Sequence, residues 1–236
     1  MTAMTQTADC PSGTTTLLLK GMRKMIAAKM HESLHSAAQL THHAECELTA
    51  LQARRARLKA AGSAVSLQDL LLHQIVQTLS AHPSLNATLQ DNQITRYQAV
   101  HLGLAIPLPG DLLVAPALFD ADRLDPQGLA EARRALVDKA QAGKLSVREL
   151  TGATITVSNL GLSRVRFFTP ILNVPQVAII GIGGSQRRLQ READGTLVER
   201  DFIGLSLTFD HRAVNGAPAA DFLDDLCRRL EHDEVT

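Results

Sequence analysis

Ser206-Leu-Thr-Phe-Asp210-His211-Arg212-Ala-Val-Asn215-Gly216 reads as a strand that stops at a polar corner and restarts as a helix. Leu205, Leu207 and Phe209 alternate, the pattern of a half-buried strand. The alternation breaks at Asp210, His211 and Arg212, and Asn215-Gly216 is a strong turn signal. Beyond it, Ala219, Phe222, Leu223, Leu226 and Leu230 fall on one helical stripe. A histidine at the mouth of a strand-to-helix corner stands on rigid supports, as a general base must. A buried imidazole bonded to a backbone carbonyl has the same sequence pattern, so spacing alone leaves both readings open.

Outward from this corner, residues 1–16 are rich in Thr, Ser and Gln without periodicity and are expected to form a disordered N-terminal segment. The remainder, 17–236, reads as one domain. Helices are predicted at about 21–36 and 49–61, with an alternating strand near Leu40–Leu48 between them. Ser66 with Asp69, and Ser146 with Glu149, are capping-box signatures, and Asp125-Pro126 opens a helix. Strands are predicted at about 93–97, 101–107, 111–116, 153–158, 176–182, 185–192 and 197–209, with Asp194-Gly195 as a hairpin turn. Helices mixed with mainly antiparallel strands, and no βαβ repeat, predict an α+β fold.

Composition narrows the function classes. The 236 residues are 45% hydrophobic, enough for a substantial core in a single domain. Formal net charge is zero and there is no basic stripe, which argues against nucleic acid as a partner. Cys10, Cys46 and Cys227 are far apart in sequence, without metal-type spacing, as expected of reduced thiols in the cytoplasm. No apolar run reaches membrane-spanning length, and no signal-peptide layout is present.

Asp210-His211-Arg212-Ala213-Val214-Asn215-Gly216 resembles the His-x-x-x-Asp-Gly signature of the dihydrolipoamide acyltransferases of 2-oxo acid dehydrogenase complexes. Further blocks resemble that family in order: Gly21-Met22-Arg23-Lys24 with Ile26-Ala27; His82-Pro83 through Asn86-Ala87; Thr154 to Gly161; Phe168-Thr169-Pro170; and Pro175 to Gly181. The resemblance covers roughly residues 20–230 and implies a chloramphenicol acetyltransferase-like fold, a mixed, mostly antiparallel sheet with flanking helices in a trimer-forming subunit. It implies acyl transfer between CoA and a thiol such as dihydrolipoamide. His211 then matches the catalytic base and Ser158 the hydroxyl that stabilises the oxyanion, the two facing each other across a subunit interface of a homotrimer. CoA or acyl-CoA is a substrate, no metal is needed, and the lipoyl group is expected from a separate lipoyl-carrying protein. A stand-alone acyltransferase acting on another carrier or a small acceptor is the alternative, with a non-catalytic scaffold of the same fold behind it.

Departures from the family pattern carry expectations of their own. Asn215 stands where many relatives have Asp; it keeps the shape and hydrogen bonding but not the charge, which implies an orienting role. Arg164-Val165 replaces a Gly-Gly pair, and Arg164 and Arg166 are candidates for binding the CoA phosphates or an anionic acyl group, against a reading as solvated loop residues. The polar end Glu231 to Thr236 does not match the apolar tail of relatives that build giant cores, so a free trimer is expected. Asp138-Lys139-Ala140 matches the lipoylation triplet but falls on an amphipathic helix, so it reads as coincidence. His31-Glu32-Ser33-Leu34-His35 satisfies the zinc-protease pattern, the rival from another class, but no third-ligand block follows it. Gly181-Ile182-Gly183-Gly184 leads into a strand rather than a helix, which excludes a dinucleotide loop. His42 and His43 are adjacent on a strand and point to opposite faces. Asp221, Asp224 and Asp225 read as the solvated face of the last helix.

Overall fold

The computed structural model describes residues 13–232. Most of the segment expected to be disordered, residues 1–12, and the end of the polar tail, 233–236, lie outside the described residues. Helix α1 (Gly21–Ser36) leads into strand β1 (Gln39–Glu47), followed by α2 (Thr49–Ala60) and α3 (Leu67–Ala81). Six short strands follow: β2 (Ala87–Gln90), β3 (Gln93–Arg96), β4 (Leu102–Leu104), β5 (Ile106–Leu108), β6 (Leu112–Val114) and β7 (Ala117–Leu118). Helices α4 (Pro126–Gln141) and α5 (Val147–Thr151) precede β8 (Ile155–Asn159), the long hairpin β9 (Ala178–Arg191) and β10 (Leu197–Asp210), and α6 (Gly216–His232).

The principal sheet runs β1-β10-β9-β8-β4-β7. β8 is parallel to β4 and β9, and the other pairings are antiparallel. The fold is thus α+β with a mixed sheet, as the sequence implied. One face, carrying Leu205, Leu207 and Phe209, packs on α3 and α6 in a continuous apolar core. Burial of such side chains contributes roughly 1.5–3 kcal/mol each. No described helix is long and apolar enough to cross a membrane.

Both capping boxes form as predicted, and Asp69 does double duty. Its carboxylate accepts from the Ser66 main-chain N–H at 2.9 Å and from the Arg133 guanidinium of α4 at 2.5 Å. Gly195 takes φ +88° at the tip of the β9–β10 hairpin, as Asp194-Gly195 predicted.

Two strands expected at 176–182 and 185–192 are in fact one, β9. Gly183 and Gly184 lie inside it because the segment 162–168 crosses that face of the sheet. A Cβ on Gly183 or Gly204 would collide with the main-chain carbonyl of Arg166, and one on Gly184 with that of Ser163. The Gly184 N–H instead donates to the Val165 carbonyl at 2.7 Å. The glycines are a track for a crossing chain rather than punctuation. Two further corrections concern short elements: 101–107 is broken at Ala105 into β4 and β5, and β2 pairs with β3 through Asp91-Asn92, both at positive φ.

Candidate active site

His211 follows the last residue of β10, and its side chain is exposed. Its main-chain N–H donates to the Ala38 carbonyl at 2.8 Å, and its ring lies 5.8 Å from that of Phe209. The corner is tightened by the Asp210 carbonyl, which accepts from the N–H groups of Ala213 (2.9 Å) and Val214 (3.0 Å). Val214 is buried, and Asn215 is exposed immediately before α6.

Ser158 is half-buried near the end of β8, and among the described residues no partner is recorded for its hydroxyl. Its neighbours are committed elsewhere. Thr156 donates to the Gln176 side-chain carbonyl at 2.7 Å, and the Asn159 side chain accepts from Gly161 N–H at 2.7 Å, shaping the turn.

Within one chain these two residues do not meet. Ser158 pairs with Gly181, Gly181 with Ser206, and Ser206 with His43, one row across four strands. His211 is two strands over from Ser158 and five residues further along β10, which places the two about 20 Å apart by strand geometry. The row itself is polar: Ser206 Oγ lies 2.9 Å from His43 Nδ1, and the His43 ring lies 5.3 Å from that of Phe167. His42, on the opposite face, packs edge-on to Phe209 at 5.1 Å. The two histidines do point apart.

The arginines of the crossing segment divide. Arg166 Nη2 donates to Glu45 Oε1 at 2.6 Å, and Arg188 pairs with the same carboxylate. Arg164 is exposed, with no ion pair recorded among the described residues. Two open grooves flank β1. One of about 720 Å³ runs against α6, bordered by His42, Asp224 and Cys227. The other, about 550 Å³, lies under Thr169, Pro170 and Ile171. Neither is lined by Ser158 or His211.

Several side chains singled out from the sequence hold the fold together. Arg23 donates to the Gly110 and Asp111 carbonyls, each at 2.8 Å, pinning the β5–β6 turn. Asn86 donates to the carbonyls of Tyr97 and Ala99. Lys139 pairs with Glu149 at 3.0 Å on the helical surface. His31 and His35 stack at 4.0 Å on α1, and among the described residues no group of three metal-ligating side chains gathers. Asp225 departs from the solvated-face reading: its side chain is largely buried and accepts from Arg229 beside His82, each at 3.3 Å. Cys46 and Cys227, far apart in sequence, are brought together where β1 packs on α6, and the Cys227 contact and burial push the Cys46 thiol far up.

The fold is that of the chloramphenicol acetyltransferase-like proteins: chloramphenicol acetyltransferase superposes with TM-score 0.57 at 16% identity, over 86% of this chain and 94% of that one. More specifically, the chain belongs to the family of 2-oxoacid dehydrogenases acyltransferase (catalytic domain), whose model matches residues 11–235. It is 38% identical over 216 residues to the dihydrolipoyllysine-residue acetyltransferase component of the acetoin cleaving system of Bacillus subtilis, covering 89% of this chain and 54% of that protein. Two solved structures each match at 30% identity and TM-score 0.84, over 92% of this chain and 91% of theirs. One is the cubic core of a pyruvate dehydrogenase multienzyme complex. The other is the Azotobacter vinelandii dihydrolipoamide acetyltransferase, from work on the role of a serine, a histidine and an asparagine in its catalytic mechanism. There the histidine and asparagine are four positions apart, with the serine 52 positions before the histidine. The chain spans about half the length of the curated relatives it matches.

Proposed function

We propose that this chain transfers an acyl group between CoA and a dihydrolipoyl thiol, in a homotrimer whose active site is shared between neighbouring subunits. His211 of one subunit takes the proton from the attacking thiol. The thiolate, the competent nucleophile, adds to the thioester carbonyl. The Ser158 hydroxyl of the adjacent subunit donates to the oxyanion of the tetrahedral intermediate. Collapse expels the other thiolate, which recovers the proton from the His211 imidazolium. Asn215 orients the corner.

The observation that carries this reading is the separation of His211 from Ser158. Each has the exposure its role requires, yet about 20 Å of sheet divides them in one chain. The same residue types in the A. vinelandii enzyme, with nearly the same spacing, support the assignment. Of the two arginines, Arg164 is the better candidate for the CoA phosphates, since Glu45 already engages Arg166. Three cysteines without a disulfide-framework spacing favour a cytoplasmic setting.

Subunit mixing tests the shared site. His211→Ala and Ser158→Ala trimers are each expected to lose activity by about 100-fold or more. Dissociated and reassembled together, they regain about a quarter of the wild-type rate, because random assembly gives that fraction of interfaces an intact pair. No recovery on mixing, with reassembly verified, overturns the shared site. Wild-type protein that turns over no acyl-CoA with dihydrolipoamide overturns the reaction.

A further inference from the structure

We propose that Asp210, together with Arg212, is a positioning residue for His211: a buried carboxylate clamp that fixes the main chain of the imidazole and acts on the reaction only through it. The proposal rests on the reading of His211 as the base. It names two residues that the motif alone leaves without a task.

Every polar group of Asp210 is engaged, and the partners converge on the His211 corner. Its N–H donates to the Val177 carbonyl at 2.9 Å, and its carbonyl closes the turn onto Ala213 and Val214. Carboxylate Oδ1 accepts from the Ala38 N–H at 3.3 Å and the Arg212 N–H at 3.0 Å. The Arg212 guanidinium completes a two-pronged pair, Nε to Oδ1 at 3.0 Å and Nη2 to Oδ2 at 2.6 Å. The peptide chain at Ala38 is therefore bracketed: its N–H is held by Asp210, and its carbonyl accepts from His211 N–H at 2.8 Å. Ala38 joins α1 to β1, so the clamp ties the catalytic corner to the adjacent edge strand of the sheet.

Charge makes the clamp stiff. The Asp210 side chain is 4% exposed and that of Arg212 50%, so the carboxylate is dry while its partner reaches water. Burial alone would raise the Asp210 carboxyl, but the hydrogen bonds from Arg212 and Ala38 outweigh it and hold the group below its ordinary value. A charge-assisted two-pronged pair also sets direction, which a single neutral hydrogen bond does not. Strand termination needs none of this; a base that must meet a thiol presented from elsewhere does, since a misplacement of about 1 Å costs about 100-fold in rate.

The test uses the intact oligomer and two readouts, steady-state kinetics and hydrogen exchange at the His211 amide. Asp210→Ala is expected to lower kcat by about 100-fold while KM for acyl-CoA changes less than about twofold, and to speed exchange at His211 N–H. In case Asp210→Ala fails to fold, the surface partner supplies the second series: Arg212→Ala is expected to lower kcat, and Arg212→Lys to restore part of it, because lysine gives charge without the fork. Folded variants with kcat within about twofold of wild type, or with unchanged exchange at His211, overturn the clamp. If the wild type shows no acyl transfer, the functional reading fails; the exchange measurement still decides whether the clamp exists.

Discussion

Individual side chains in this molecule are often claimed twice, by a motif and by a structural partner, and the partner decides which reading survives. Arg166 and Arg164 are two residues apart on one segment and look equivalent in sequence. Glu45 separates them: it accepts from Arg166 and Arg188 together, and these hydrogen bonds outweigh burial to lower its carboxyl below the ordinary value. Arg166 thereby fastens the crossing segment to β1, whereas Arg164 is left facing solvent. Arg164→Ala is expected to raise KM for acyl-CoA about three- to tenfold without changing thermal stability, since an exposed charge-assisted contact contributes on the order of 1 kcal/mol. Arg166→Ala is expected to lower the melting temperature and to leave KM for acyl-CoA the smaller of the two changes. Equal KM values for Arg164→Ala and wild type would remove Arg164 from the CoA site. Glu45 and Arg166 are 121 positions apart, and no local pattern announces their pairing.

At the scale of elements, local signals were legible and crossing ones were not. Ser66 with Asp69, Ser146 with Glu149, Asp125-Pro126 and Asp194-Gly195 each satisfy a nearby backbone group, and each predicted its cap or turn. Gly183-Gly184 resembles a strand break in sequence because its reason is non-local: only the track of residues 163–166 shows why a Cβ is excluded there. β2 was missed for its brevity, though Asp91-Asn92 is a hairpin signal. In the candidate site the sequence singled out His211 and Ser158 through the order of motif blocks, but neither the bracket at Ala38 nor the 20 Å gap. Asp69 offers a test at this scale, because one fully buried carboxylate both caps α3 and binds α4 through Arg133. Asp69→Ala leaves the guanidinium, itself 18% exposed, without its partner and removes the reciprocal half of the capping box, and is expected to cost about 3–5 kcal/mol in urea unfolding. Burial raises the Asp69 carboxyl, but bonds from Arg133 and Ser66 outweigh it, so the folded value lies below the unfolded one. Its contribution is thus present above the unfolded value near 4 and lost as pH falls through the lower folded value. Wild type is expected to lose stability over that acid range more steeply than Asp69→Ala; parallel curves would sink the assignment.

For the whole molecule, the proposed reaction requires a second chain, since His211 and Ser158 lie two strands apart in one sheet. Leu160, Leu162 and Val165, which follow Ser158 in sequence, are 40%, 108% and 40% exposed. In the proposed trimer, a neighbour that brings its His211 to Ser158 would cover this stretch and bury these side chains. Closed rotational symmetry makes every such contact identical, so one interface completes every site. Leu162→Glu is therefore expected to yield a folded chain with native circular dichroism, the mass of a monomer, and no acyl transfer at any concentration. Wild type is expected to have the mass of three chains of 25.5 kDa by light scattering, and to lose specific activity on dilution as trimers separate. A monomeric Leu162→Glu protein with full activity would overturn the shared site. A wild-type mass far above three chains, as in the cubic core that one relative forms, would overturn the free trimer and leave the shared site standing. The two outcomes are separable because the first asks whether His211 reaches Ser158 across an interface, and the second only how many such interfaces are gathered together.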